Sequence, residues 1–209
     1  MTQNLSLERL YHPDGKSLGA LVAGLSGSGK TTAVLSTLQQ AIRKGSGVGE
    51  NHRFIIVDPK IQPGDYDLLA EPVRKAEDAL HKIRKERVVV LWPDLDFVQA
   101  EVEELVNGVF DMADASPEHT FTLVLDEASI LITPTRIPPA LKRLSVQGRA
   151  KRIKPVFISQ RPIVNRWTDA NLSTLLLFNT LPVDFDTLSR RWGVDFEEHG
   201  EGLRTVPYS

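Results

Sequence analysis

The sequence predicts a three-layer α/β/α sandwich on a mainly parallel sheet. Short apolar runs bounded by turn residues recur along the chain, and segments with helical spacing lie between them. The runs are rich in Val, Ile, Leu or Phe and alternate little, as strands covered on both faces do. Strands that alternate with helices imply right-handed crossovers and hence parallel pairing.

Taken in order, the first strand is Leu18–Ala23, followed by a glycine-rich loop and a helix over Thr31–Lys44. Gly45–Gly49 is expected to be a flexible turn. The next strand, Phe54–Val57, leads to a helix over Val73–Glu86, and Val88–Trp92 to a helix over Phe97–Ala115. Thr122–Leu125 is a buried strand that ends in two acids. Pro138–Pro139 starts a helix running to Lys151, and Pro155 marks a boundary before the strand Val156–Ile158. A last strand, Leu175–Phe178, and a helix over Asp186–Gly193 complete the pattern.

With 41% hydrophobic and 25% charged residues over 209 positions, one domain spanning 1–209 is expected. There is no cysteine, which excludes disulfides and thiolate metal sites. The five histidines show no metal-ligand spacing. The opening MTQNLSLERLYHPDG has no apolar core of a secretory signal, and no run nears the ~18 apolar residues that span a bilayer. A soluble chain in a reducing interior follows. The net charge of −2 hides an asymmetry. Ten acids and no Lys or Arg fall between Asp94 and Glu127, whereas nine Lys or Arg and no acid fall between Ala128 and Thr168. The acidic half suits a solvated helical face. The basic half suits either a polyanion footprint or solvated loop positions.

Gly24-Leu25-Ser26-Gly27-Ser28-Gly29-Lys30-Thr31 fits G-x-x-x-x-G-K-[ST], with a strand before it and a helix from Thr31 and Thr32 onward. Such a loop points backbone N–H groups at phosphates, aided by the positive end of the helix. Lys30 would reach the β- and γ-phosphates of ATP, and Thr31 would place its hydroxyl on Mg²⁺. In FTLVLDEAS (121–129), carboxylates at a buried strand's end are costly unless they face a cation or a wet cleft. Asp126 would hold the Mg²⁺ shell and Glu127 would polarise the attacking water as general base. The strand of PVFISQRP (155–162) ends in Gln160, placed to touch the γ-phosphate or the lytic water.

Together these elements resemble the FtsK/HerA branch of P-loop ATPases, hexameric DNA pumps that include the genome-packaging ATPases of membrane-containing icosahedral viruses. DGKSLGALVAGLSGSGKTT looks like the family's approach to its phosphate loop. FIIVDPK is similar to the second strand, with Asp58 and Lys60 in the family's D-x-K position. LVLDEAS fits the acidic strand, and TLLLFNTLPVDFDTLSRRWG resembles the closing strand and helix. GRAKRIKPVFISQRP resembles the segment carrying an arginine finger eleven residues before the sensor glutamine; that arginine is Arg149, with Arg152 as the other candidate. The resemblance implies a RecA-like core, a homo-oligomeric ring (a hexamer), DNA as partner and portal or capsid-vertex proteins as anchors. It also implies action in the host cytoplasm and at the virion's packaging vertex. Arg136, Lys142 and Arg143, in and after the proline-broken TPTRIPPALKR, are expected to protrude and to contact DNA.

Other readings differ in what they require. A small-molecule kinase needs an acceptor pocket rather than a hydrolytic Asp-Glu pair. A GTPase would carry N-K-x-D, which is absent. A non-cycling ATP-binding protein would not need Lys30, Glu127 and Gln160 together. A cellular or plasmid-borne translocase remains the nearest alternative within the motor class.

Overall fold

The computed structural model describes residues 19–43, 48–162 and 165–192. Among these residues six strands form one sheet: β1 (Ala20–Ala23), β2 (His52–Val57), β3 (Val88–Leu91), β4 (Thr120–Leu125), β5 (Ile153–Ser159) and β6 (Thr174–Leu177). Their order is β3-β2-β4-β5-β1-β6, and every neighbouring pair is parallel. The helices are α1 (Lys30–Ile42), α2 (Ala76–Ile83), α3 (Val98–Ala115), α4 (Pro139–Gln147), α5 (Arg166–Asp169) and α6 (Phe185–Trp192). The expected fold class is borne out.

Side-chain alternation divides the core into two layers. Leu21, Ile55, Val89, Leu123 and Phe157 pack with residues of α2, α3 and α4 on one face of the sheet. Ala20, Phe54, Val90, Val124 and Val156 pack with Val34, Leu38 and Ala41 of α1 on the other. Both faces are thus covered, which is why the strands read as continuous apolar runs. Phe157 is fully buried in β5, a strand flanked by β4 and β1. Phe157→Ala should cost about 3–5 kcal/mol by the lost transfer energy and the cavity left behind. Chemical denaturation checks this: an unchanged midpoint would mean that the site collapses to fill the space.

All six expected strands are present. Four details differ. Val73, expected to open a helix, instead bridges Leu91, its N–H donating to the Val90 carbonyl; α2 therefore starts only at Ala76. There the buried Glu101 carboxylate accepts from the Ala76 N–H at 2.6 Å and ties the start of α2 to α3. Pro155 lies within β5, opposite Leu123, so the strand starts at Ile153 and gives up one ladder donor at the proline. Helix α4 stops at Gln147, and Arg149–Lys151 form a separate 3-10 turn. The short α5 carries no periodic signal; Asn165 starts it by a reciprocal cap with Thr168. Leu18, residues 44–47 and Gly193 from the expected elements lie outside the described residues. Among the described residues no helix is long and apolar enough to cross a membrane.

Candidate functional site

The site forms at the C-terminal ends of β1, β4 and β5. The loop leaving β1 is pinned on both sides: the Gly24 N–H donates to the Ser159 carbonyl and the Leu25 N–H to the Asn179 carbonyl. A side chain at Gly24 would meet Cβ of Phe178 at 2.7 Å, so the close approach to the end of β6 demands glycine. The loop ends at Gly29, whose φ of 90° lies in the left-handed region and turns the chain into α1. Ser26, Gly27, Gly29, Lys30, Thr31 and Thr32 line an open cleft of about 280 Å³. Within the loop the Ser28 hydroxyl oxygen is shielded from solvent and has no hydrogen-bond partner, as a donor kept for a phosphate would be.

Lys30 is buried, and its ammonium donates to the carbonyls of Gly24 (2.7 Å) and Leu25 (2.8 Å). Burial, and next the charge of Lys60, lower its pKa below the ordinary lysine value, against the pull of Glu127 and Asp126. The Thr31 hydroxyl donates to Asp126 Oδ2 at 3.2 Å. These two hard-oxygen donors suit Mg²⁺, which keeps few protein ligands and takes the rest from water and phosphate. No group of three or more His, Cys, Asp or Glu that could hold a metal occurs among the described residues.

Asp126 is 1% exposed at the end of β4. Glu127 follows with φ 51° and ψ 47°, a left-handed conformation that is rare for a residue with Cβ and is found where function holds it. That turn takes its side chain off the strand and into the cleft. Ser129 Oγ donates to Glu127 Oε1 at 3.0 Å. Lys60, beyond the end of β2, places its ammonium 3.3 Å from Asp126 Oδ1 and 3.0 Å from Glu127 Oε2. Burial opposes its charge, but the two carboxylates outweigh burial and raise its pKa above the usual lysine value. Asp58 is also buried, and burial followed by the charge of Asp126 pushes its carboxyl up. Gln160 lines the same cleft because β5 stands between the phosphate-loop strand and the acidic strand.

The fold thus brings together the phosphate loop, Thr31, Asp126, Glu127 and Gln160. It does not bring Arg149 there. Arg149 is exposed on the 3-10 turn before β5, at the opposite end of the sheet from the cleft. Arg152 donates to the Ala113 (2.6 Å) and His119 (3.2 Å) carbonyls, a structural use of its guanidinium. The segment expected to protrude is instead tied down. Ile132, Ala140 and Leu141 are buried, and Asn165 Nδ2 donates to the carbonyls of Thr133 (2.8 Å) and Pro134 (3.2 Å). Arg136 donates to Gln99 at 2.6 Å, and Arg143 lies 4.0 Å over the Phe110 ring. The Lys142 ammonium stands 4.0 Å over the indole of Trp167, which Arg166 also flanks at 5.3 Å. Sequence reasoning placed Lys60 by family pattern alone and missed its bridge to the two carboxylates. It also missed the cleft residues Gln62 and Asp65, which no motif marks.

The chain matches no protein-family model. It is 30% identical over 145 residues to the DNA packaging ATPase P9 of Enterobacteria phage PRD1, across 68% of this chain and 55% of that protein. The chain therefore spans about half the length of this curated relative. The genome packaging NTPase B204 of Sulfolobus turreted icosahedral virus 2, solved with ATP-gammaS, superposes with a TM-score of 0.67. It shares 16% identity, over 93% of this chain and 89% of that one. B204, the DNA-packaging ATPase of Sulfolobus turreted icosahedral virus, gives a TM-score of 0.65 at 18% identity, over 90% and 87%. At such identities these two show the fold, and the phage protein adds the likeness in sequence. The resemblance carried by the motifs is thus borne out: this chain is similar in sequence to a phage DNA packaging ATPase and in fold to viral genome-packaging NTPases.

Proposed function

We propose that the chain is an ATP-driven DNA translocase, the packaging motor that pumps a viral genome into a preformed capsid. One observation carries this reading: the phosphate loop, the Asp126-Glu127 pair and Gln160 share one cleft in a chain whose sequence relative is a DNA packaging ATPase. That arrangement serves hydrolysis. Lys30 exchanges its loop carbonyls for the γ-phosphate, Glu127 accepts the proton of the attacking water, and Gln160 senses the phosphate. Mg²⁺, held by Thr31 and the Asp126 shell, would neutralise charge on the phosphoryl oxygens. Arg149 serves a neighbour's ATP in a homo-oligomeric ring, a hexamer. The ring acts in the host cytoplasm at the packaging vertex, anchored by portal or capsid-vertex proteins.

DNA binding falls to Arg136, Lys142 and Arg143. Their side-chain partners among the described residues are neutral: Gln99, the Trp167 ring, Asn107, Gln147 and the Phe110 ring. Positive charge without a carboxylate partner is what a phosphate backbone attracts, and such binding ignores base sequence, as a pump requires. Hydrolysis by the purified chain should rise on addition of DNA. Replacing the three residues with Ala should abolish that rise and flatten the salt dependence of DNA affinity. The log–log slope should shrink by about one unit for each phosphate no longer neutralised. A wild-type rate indifferent to DNA would refute the motor reading. An unchanged salt slope in the triple variant would move the DNA surface elsewhere.

A further inference from the structure

We propose that Lys60 is a positioning residue of the hydrolytic site: its ammonium clamps Glu127 beside Asp126 and competes with a divalent cation for this carboxylate pair. Two elements far apart in sequence create the clamp. β2 and β4 are neighbours in register, with Val57 opposite Leu125, so Asp58 and Asp126 leave the sheet side by side. A tight turn follows β2. The Lys60 N–H donates to Asp58 Oδ1 at 3.1 Å, and the side chain then returns over the end of β4. One ammonium spans Asp126 Oδ1 and Glu127 Oε2, while Thr31 engages the other Asp126 oxygen. The Glu127 carboxylate is therefore held from both ends, by Lys60 on Oε2 and by Ser129 on Oε1.

The charge balance makes this holding conditional. Lys30 and Lys60 together offset Asp126 and Glu127, and after burial the charge of Lys60 disfavours that of Lys30. Asp126 shares one carboxylate between Lys60 and Thr31, so a divalent cation held by Thr31 and Asp126 would face the ammonium as a neighbour of like sign. Lys60 would then give up Asp126 Oδ1 and keep Glu127 Oε2, so that its ammonium still orients the base in the loaded site. Its side chain is 34% exposed, which leaves it a path toward the open cleft that it lines.

The inference rests on the reading of Thr31 and Asp126 as the metal's side chains. The probe is Mn²⁺ alone, followed by electron paramagnetic resonance on the full chain without nucleotide. Lys60→Met should bind Mn²⁺ about tenfold or more tightly than wild type, because a nearby positive charge is gone. Lys60→Arg should match wild type. Lys60→Met with Asp126→Asn should lose the gain. In turnover, Lys60→Met should need less Mg²⁺ for half-maximal hydrolysis and yet show a lower kcat, because Glu127 is no longer oriented. Lys60→Gln, which keeps a donor without charge, should share the gain in metal affinity and recover part of kcat. A purely structural loss would worsen both quantities together. If Lys60→Met binds Mn²⁺ as wild type does, while Asp126→Asn still weakens Mn²⁺ binding with ATP-gammaS, the role of Lys60 is overturned alone. If Asp126→Asn has no effect with ATP-gammaS, the metal reading falls and this inference with it.

Discussion

Glu127→Gln is expected to bind ATP and leave it intact. Gln is nearly isosteric with Glu, and its amide oxygen can still accept from Ser129 or Lys60, so the cleft should keep its shape. What is lost is the acceptor for water's proton. Removal of a general base costs on the order of 10²–10⁴-fold in rate. The left-handed backbone at Glu127 supports this role, since a strained non-glycine conformation persists where the surroundings enforce it. Single-turnover hydrolysis together with nucleotide affinity measured by calorimetry checks the expectation. Wild-type turnover in Glu127→Gln would shift attention to Asp65. That carboxylate also lines the cleft and has its pKa raised by burial and then by Asp126.

The parts of the site legible in the sequence are those whose chemistry is local. The phosphate loop needs eight consecutive residues, Gly24 to Thr31, leading from a strand into a helix, and Asp126-Glu127 needs only the end of an apolar strand. Gln160 was legible for the same reason, and β5 carries it to the cleft from between β4 and β1. Lys60 was visible only as a family pattern. Its chemical use depends on β2 pairing with β4, a neighbour 66 residues from Lys60 in the chain at Asp126, and no periodicity announces that. The layers were legible because strands covered on both faces lose their alternation. Boundaries were less so. Pro155 disguised the first half of β5, and Val73 joins the sheet through two backbone hydrogen bonds that no side-chain pattern encodes. The proline-broken segment was expected to stand free, and it stays out of helix only up to Pro139, where α4 begins. Its anchor is Asn165, more than 30 residues downstream, whose amide satisfies two of the loop's carbonyls.

Mixing two inactive variants should restore hydrolysis. Arg149→Ala alone should be nearly inactive, because an arginine that stabilises charge on the transferring phosphoryl group is worth about 10³–10⁵ in kcat. Lys30→Ala alone should also be inactive, having lost the cation that meets the γ-phosphate. The geometry decides whose ATP Arg149 can serve. It precedes β5, whereas the cleft lies past the end of that strand, and seven residues of strand separate the two by roughly 23 Å. No side chain spans that distance, so Arg149 cannot reach the phosphates in its own cleft, and a finger role for it requires a neighbouring subunit. Arg152 is a weaker candidate because its guanidinium already satisfies the carbonyls at the end of α3 and beyond it; Arg152→Ala should lower stability as well as rate. In randomly mixed equimolar rings, about a quarter of sites would join an intact phosphate loop to an intact Arg149 from next door, and activity should return to that order. Each variant should remain inactive when diluted to a concentration at which rings do not exchange subunits. No recovery on mixing, with subunit exchange shown by fluorescence transfer between labelled subunits, would rule out Arg149 acting across the boundary.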